Sequence, residues 1–351
     1  MHINELLSTA RTQRASDVHL TMDRNPIFRI DGTLHETEYA LSQEEKRILI
    51  LSLLTDKQRK KVEEGGDVDM SYETPDGMRH RVNVFHQQQR LACVIRLLND
   101  IIPSFEQLGL PEVLRTLADE PRGLILVTGP TGSGKSTSLA AMIDYVNSRR
   151  ACHILTIEDP VEYVYKQKKA LIHQRSVGED VESFSAALRS AMREDPDVIL
   201  VGEMRDFETI SAAITAAETG HLVLSTLHTT GAAKTVDRII DVFPPHSQQQ
   251  IRTQLAAVLK GVVTQTLLPK AGSQGRIAAF EIMIATDAVS TLIRENKCHQ
   301  LNSVLQTGMR QGMILLDDYL ANLVRNGTIT REAALEKASN KTELLSAIGQ
   351  L

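Results

Sequence analysis

The segment Gly129-Pro-Thr-Gly-Ser-Gly-Lys-Ser-Thr137 combines glycines, a lysine and hydroxyl side chains at the spacing of a phosphate-binding loop. An apolar run at 123–128 precedes it and a helical pattern follows from Leu139, which is the context that such a loop requires. Glycines let the backbone curl so that successive N–H groups face phosphate oxygens. The predicted nucleotide-binding residues are Gly129, Pro130, Thr131, Gly132, Ser133, Gly134, Lys135, Ser136 and Thr137.

The side chains of this loop have separate expected roles. Lys135 should neutralise the charge of the β- and γ-phosphates, and Ser136 is placed to hold Mg²⁺, with Thr137 beside it near the phosphates. ATP and Mg²⁺ are therefore the predicted cofactors. The alternative is a glycine-rich turn that binds nothing, and it is disfavoured because both flanking patterns fit as well as the loop itself.

Acidic residues follow two further strand patterns. Glu158-Asp-Pro-Val-Glu162 comes directly after the strand pattern at 153–157, and one of its carboxylates should orient the attacking water. A proline-containing turn with solvated acids is the alternative. Glu203 follows an apolar strand pattern within Asp195-Pro-Asp-Val-Ile-Leu-Val-Gly-Glu-Met-Arg-Asp206, as in a Walker B segment, and can reach Mg²⁺ or its bound water. Glutamate instead of the commoner aspartate favours water-mediated contact with the metal.

A histidine and a set of arginines complete the candidates. His228 lies at the carboxyl end of the strand pattern 222–227, where it could sense the γ-phosphate, although a lone histidine is commonly structural. P-loop enzymes often recruit a guanidinium from a neighbouring subunit or domain. Arg79, Arg81 and Arg96, on adjacent strand patterns near the N-terminus, are candidates for that role. Solvated surface arginines are the alternative.

Length and composition limit the function classes. A chain of 351 residues with 42% hydrophobic and 24% charged residues predicts a soluble protein of two domains. No stretch approaches about 20 apolar residues and the N-terminus has no signal-like core, so a cytoplasmic protein is expected. The three cysteines are far apart, which argues against a disulfide framework or a zinc module. A net charge of −5 with 4% aromatic residues argues against a nucleic-acid partner.

The elements expected to position these residues fall into two groups. Residues 1–98 predict a small α+β domain, and residues 99–111, which end in a proline, predict the linker and hinge. Residues 112–351 alternate strand and helix patterns, which predicts a mostly parallel α/β sheet with ligands at the carboxyl ends of its strands. The chain turns helical after about residue 285, as in a small terminal bundle. The segment Lys166-Gln-Lys-Lys169 is interpreted as a solvated hairpin tip.

Four blocks together resemble the secretion superfamily of type II and type IV ATPases, over essentially the whole chain. They are the loop at 129–137, Ile157-Glu-Asp-Pro-Val-Glu162, the segment 191–206 and the segment 217–230. In that superfamily they are called Walker A, Asp box, Walker B and His box. The resemblance implies a PAS-like α+β domain, a RecA-like P-loop ATPase domain, a C-terminal helical bundle and a hexameric ring. It assigns the catalytic glutamate to Glu162, the Walker B glutamate to Glu203 and the His-box residue to His228, with Arg81 and Arg96 reaching a nucleotide site.

Within this superfamily the chain most resembles the pilus retraction motors. Assembly motors usually carry a further N-terminal domain and a four-cysteine zinc insert, neither of which is found in this sequence. Ala288-Val-Ser-Thr-Leu-Ile-Arg-Glu295 is similar to a C-terminal signature of retraction motors, with Ser290 and Thr291 in place of arginine and asparagine.

The resemblance therefore implies a cytoplasmic hexameric ATPase that powers type IV pilus retraction and twitching motility. Its partners would be an inner-membrane platform protein and the pilin machinery, with peripheral association at the cytoplasmic face of the inner membrane through those partners and no nucleic acid. The alternatives are a RecA-like nucleic-acid translocase or helicase, an assembly ATPase of pili or type II secretion, and a small-molecule kinase.

Overall fold

The computed structural model describes residues 2–30, 32–98, 101–272 and 275–349. The chain divides into a first unit, Met1–Ile101 with Pro160–Val164, and a second unit, Ile102–Asp159 with Tyr165–Leu351. The predicted hinge at 99–111 remains a prediction, and its residues 99 and 100 lie outside the described residues. Asp31 also lies outside the described residues.

The first unit combines helices with an antiparallel sheet. Its elements are α1 Ile3–Thr12, β1 Ala15–Leu20, β2 Ile27–Ile30, β3 Thr33–Glu36, α2 Gln43–Ser52, α3 Asp56–Glu63, β4 Val68–Glu73, β5 Arg79–Gln87 and β6 Arg90–Leu97. Within the described residues the sheet has the order β3-β2-β1-β6-β5-β4, and all of its strand pairs are antiparallel.

Alternating side chains decide which face of this sheet is buried. Along β5, Val82 and Val84 are fully buried, whereas Arg81, directly before Val82, points to the opposite face. Arg81 is paired directly with Arg96 of β6, so the two arginines share that opposite face. Ser42 and Thr55 directly precede helices α2 and α3, and each caps its helix through a reciprocal capping box.

The second unit contains a larger sheet covered by helices. Its strands are β7 Gly123–Thr128, β8 His153–Glu158, β9 Leu171–Ser176, β10 Val198–Val201, β11 Leu222–Leu227, β12 Leu259–Pro269 and β13 Arg276–Ile284. Its α-helices are α4 Phe105–Leu108, α5 Val113–Ala118, α6 Lys135–Arg149, α7 Phe184–Ala191, α8 Phe207–Glu218, α9 Ala232–Asp241, α10 Pro245–Val258, α11 Asp287–Arg294, α12 Leu301–Thr307, α13 Leu316–Arg325, α14 Arg331–Lys337 and α15 Lys341–Ile348.

The strand order of this sheet brings several polar strand ends together. In the described residues the order is β13-β12-β7-β11-β10-β8-β9, parallel except for β13, which runs antiparallel to β12. Strands β7, β10 and β11 are buried along their whole length, which explains their largely apolar sequences. Their carboxyl ends, which carry the candidate residues, therefore lie at one edge of the sheet.

The expectation of a solvated hairpin tip at residues 166–169 is corrected by the structure. Because β8 and β9 are parallel, residues 166–169 belong to a crossover and not to a hairpin tip, since only antiparallel neighbours can be joined by a hairpin. Lys168 there donates to the Asp144 carboxylate at 2.7 Å, so it is not simply solvated. Strands β9, β12 and β13 were not predicted, and β12 follows α10 directly. Among the described helices, none is long and apolar enough to cross a membrane.

Candidate active site

The loop between β7 and α6 has a backbone that only glycine can adopt at its two ends. Gly129 has φ 140°, and a Cβ there would lie 2.2 Å from the backbone oxygen of Gln265. Gly134 has φ 87°, and its Cβ would lie 2.8 Å from the Gln265 side-chain nitrogen. An L-residue at either position would meet both backbone strain and a steric clash. The loop is therefore a cradle whose shape depends on glycine.

Polar groups of the loop fit the phosphates of a nucleotide. Lys135, the first residue of α6, is only 8% exposed, and its ammonium donates to the carbonyls of Gly129 at 2.8 Å and Pro130 at 3.0 Å. The Ser133 hydroxyl is buried and has no hydrogen-bond partner among the described residues. Ser136 is exposed in the first turn of α6. A lysine, an unpaired hydroxyl and a helix N-terminus around one curled loop are what an anionic phosphate chain requires.

Gln265 of β12, which was not predicted from the sequence, connects this loop to the sheet. Its side-chain amide donates to the Ser133 carbonyl at 2.8 Å and accepts from the Ser138 hydroxyl at 2.7 Å. Beside it, the hydroxyls of Thr128 and Thr264 lie 2.9 Å apart across β7 and β12. The only signal in the sequence is the polar run Thr264-Gln-Thr266 inside an apolar stretch. These buried hydrogen bonds fix the loop to the sheet.

Glu203 and His228 lie close together because β10 and β11 are neighbouring parallel strands. The Glu203 carboxylate is 2.8 Å from the Arg205 guanidinium and 3.8 Å from His228 Nε2. The Thr226 hydroxyl donates to the Gly202 carbonyl at 2.7 Å, which joins the two strand ends directly before these side chains. Arg205 was not predicted, although it lies within the Walker B segment.

The electrostatics place Lys135 in the same site. Partial burial and then the positive charge of Lys135 lower the pKa of His228, with Arg205 acting in the same direction, whereas Glu203 opposes the shift. His228 is therefore neutral near pH 7, when its ring can donate one hydrogen bond and accept another. Lys135, Glu203 and His228, each predicted from the sequence, are thus brought together in the second unit.

The remaining predicted residues lie elsewhere along the chain. Glu162 falls in Pro160–Val164, a segment that groups with the first unit. In that unit the Arg81 guanidinium contacts the Asp69 carboxylate through two hydrogen bonds, of 3.2 and 2.6 Å. Arg96 Nε donates to Asp17 Oδ1 at 3.0 Å. The structure brings Arg81 and Arg96 together on β5 and β6, and their roles remain predictions.

Two further observations concern metals and histidines. In the described part of the chain, no group of three or more His, Cys, Asp or Glu side chains could hold a metal ion. Mg²⁺ would accordingly need phosphate oxygens and water beside Ser136 and Glu203, as is usual for magnesium at nucleotides. His221 lies just before β11, at the opposite end of that strand from His228, and its Nδ1 is 2.9 Å from the Ala216 carbonyl, which is a structural contact.

Comparison with known sequences gives long matches. Residues 1–349 match the family described as T2SSE, Type II/IV secretion system protein. The type IV pilus retractation ATPase PilT of Pseudomonas aeruginosa is 52% identical over 339 residues, covering 96% of this chain and 98% of that protein. A twitching motility protein of Neisseria gonorrhoeae is 49% identical over 343 residues, covering 97% of this chain and 92% of that protein.

Solved structures are similar over the same length. The crystal structure of the pilus retraction motor PilT with bound ADP has a TM-score of 0.92 and 46% identity, covering 98% of both chains. The Legionella pneumophila ATPase DotB has a TM-score of 0.80 and 27% identity, covering 95% of this chain and 94% of its own. The comparisons confirm the α/β fold class and the ATPase that the sequence predicts.

Proposed function

We propose that this chain, which belongs to the type II/IV secretion system protein family, hydrolyses ATP to power retraction of type IV pili and thereby twitching motility. The observation that carries the proposal is the meeting of Lys135, Glu203 and His228 at one edge of the sheet, beside a loop that only glycine can form. The relatives named as a pilus retraction ATPase and a twitching motility protein support retraction as the work performed.

The residues divide the chemistry among them. The curled loop and Lys135 bind the phosphates, while Ser136 and Glu203 would hold Mg²⁺, which when bound supplies charge neutralisation between the phosphate groups. Glu162 orients the attacking water. His228, kept neutral, offers an N–H or a lone pair to the γ-phosphate and so reports whether that phosphate is present. Phosphoryl transfer needs positioning and charge stabilisation more than a strong base, and these groups provide both.

The working form that we propose is a hexameric ring in the cytoplasm. Arg81 and Arg96 would complete a nucleotide site from another subunit or domain, as guanidinium groups do in other P-loop enzymes. The ring would act on an inner-membrane platform protein and the pilin machinery, reach the membrane only through such partners and need no nucleic acid. Ser290 on α11 lies in the segment that is similar to the retraction-motor signature. Its hydroxyl donates to the Ala256 carbonyl at 3.0 Å and therefore forms a contact within its own unit.

The residue assignments are tested by Glu203→Gln and Glu162→Gln. Each variant keeps the side-chain shape and loses the charge, so we expect turnover to fall by about 100-fold or more while ATP binding is retained. Steady-state hydrolysis and titration with a fluorescent ATP analogue measure the two quantities. Glu182→Gln, an exposed acid of the second unit, is the matched control. Full activity in both variants would contradict the assignments.

Retraction itself is tested in cells. Deleting the gene should leave pili that extend and fail to retract, and wild-type protein should restore retraction where Glu203→Gln does not. Imaging of labelled pili gives the answer directly. Cells without pili after the deletion would instead indicate an assembly motor.

A further inference from the structure

We propose that Glu281 is a positioning residue for the ATPase reaction: its carboxylate anchors the segment 228–231 and so holds His228 against Glu203. The inference rests on the proposed ATP hydrolysis and adds to it a residue that lies outside the four sequence blocks. Glu281 lies on β13, two strands away from β7 and separated by more than 50 residues from the His box.

The anchor is a buried hydrogen bond at the start of α9. Glu281 is 9% exposed, and its Oε1 accepts from the backbone N–H of Ala232 at 2.9 Å. The same oxygen would lie 3.6 Å from a Cβ on Gly231, whose φ of 95° completes the turn into the helix. The carboxylate therefore packs against the last residues of the loop. An acid at a helix N-terminus forms a charge-assisted bond and also favours the helix dipole.

The distance along the chain from this anchor to the candidate site is short. His228 is separated from Ala232 by three residues, and the Thr229 hydroxyl is 2.7 Å from that of Thr235 within α9. Few backbone dihedrals therefore remain that could move His228 once Ala232 is fixed. The position of His228 against Glu203, at 3.8 Å, depends on the start of α9 staying where Glu281 holds it.

Glu281 is itself placed by a rigid strand. Along its whole length β13 is paired with β12, and on its other side Ile282 and Ile314 exchange backbone hydrogen bonds of 2.8 and 2.9 Å. A site residue on such an element is held more precisely than one on a loop. Glu281 thus supplies a fixed point from the sheet to the loop at 228–231.

The surroundings of Glu281 are unfavourable for a carboxylate that lacks a hydrogen-bond partner. Burial raises its pKa and Asp317 of α13 adds to the increase, while the Ala232 N–H and Lys234 of α9 oppose it. A cavity of about 430 Å³ lies beside it, and Glu343 of α15 also lines this cavity. A buried carboxylate near another acid is unfavourable without compensation, and the bond to Ala232 is its compensation.

The test uses the full chain with Glu281→Ala, Glu281→Gln and the control Glu343→Ala, which removes an acid from the same cavity without touching the loop. Hydrogen exchange of residues 229–235 should accelerate in Glu281→Ala, less in Glu281→Gln, and not in Glu343→Ala. The kcat for ATP should fall by about tenfold in Glu281→Ala with KM unchanged, because one charge-assisted hydrogen bond is lost. Glu281→Gln should recover part of this loss because its amide oxygen still accepts. Unchanged exchange at 229–235 in Glu281→Ala would overturn the proposal.

A second background separates positioning from general stability. If Glu281 acts through His228, Glu281→Ala should cost less kcat when His228→Ala is already present. An equal cost in both backgrounds would overturn the positioning role. A wild-type chain without ATPase activity would contradict the proposed function, while the exchange result would still decide whether Glu281 anchors the loop.

Discussion

The phosphate loop of the second unit and the arginine pair of the first unit hold their positive charges in opposite ways. Lys135 donates to the neutral carbonyls of Gly129 and Pro130, whereas Arg81 and Arg96 contact the carboxylates of Asp69 and Asp17. Carbonyl oxygens can be exchanged for phosphate oxygens without leaving a charge unpaired, and carboxylates cannot. The loop is therefore ready for a nucleotide, and the arginines can serve one only after exchanging a partner.

The exchange is easier for Arg96 than its ion pair suggests. The Arg96 side chain is 64% exposed while that of Asp17 is 10% exposed, so the guanidinium is in contact with water and the carboxylate is held by the protein. Asp17 also accepts from the Ser16 hydroxyl at 2.8 Å, and this bond remains if Arg96 leaves. Exposed ion pairs contribute little free energy. The phosphate loop is thus preorganised for a nucleotide, whereas Arg81 and Arg96 would each have to exchange a carboxylate partner for a phosphate group.

The largest expected effect comes from removing the lysine of the loop. Lys135→Ala should weaken ATP binding by about 100-fold or more, because hydrogen bonds from a charged group contribute up to about 3 kcal/mol. Titration with a fluorescent ATP analogue measures the change. Lys166→Ala, an exposed lysine of the same unit, is the control and should bind normally. Near-normal ATP binding by Lys135→Ala would contradict the preorganised role of Lys135, and with it the difference from Arg81 and Arg96.

A smaller effect is expected from the arginines, and in a different quantity. Arg81→Ala and Arg96→Ala should each lower kcat by about tenfold or more while ATP affinity changes little, because a recruited guanidinium acts on transition-state charge. Arg24→Ala is the control, since Arg24 also forms an exposed ion pair in this unit, with Glu36 at 2.7 Å. If Arg24→Ala lowers kcat equally, the loss reflects stability of the sheet and the comparison fails.

The fold and the phosphate loop can be predicted because their signals lie in short segments of the sequence. Glycine spacing, apolar runs and helix patterns are local signals, and they predict β7, the curled loop and α6 in order. Parallel strands with polar ends also predict that Glu203 and His228 meet, because neighbouring strands end at one edge of the sheet. The α/β fold class follows from the same alternation and is confirmed.

Two contacts that sequence reasoning did not find join residues that are distant along the chain. Gln265 reaches Ser133 across 132 residues, and Glu281 reaches Ala232 across 49. The local sequence identifies neither partner of these residues, since only the strand order places β12 and β13 beside the loop and α9. The parallel pairing of β8 and β9, which contradicts the predicted hairpin, is likewise a property of the whole sheet.

The smallest expected effect concerns a histidine in each region. Burial first lowers the pKa of both His228 and His19, assisted by Lys135 and by Arg29 respectively, so each histidine takes up a proton less readily in the folded chain than in the unfolded chain. Below a pH of about 6.5 the unfolded chain takes up these protons more readily than the folded chain, so stability is lost as the pH falls.

His228→Asn and His19→Asn should each reduce this loss, by less than about 1 kcal/mol because the rings are partly exposed. Thermal unfolding at about pH 7 and about pH 5 measures it, with the exposed His299→Asn as the control. If the pH dependence of stability were unchanged in His228→Asn alone, the positive charge of Lys135 would not affect the pKa of His228 in solution. The phosphate loop of the second unit and the sheet of the first unit, which carries Arg81 and Arg96, would then differ in their electrostatics as well as in their hydrogen-bond partners.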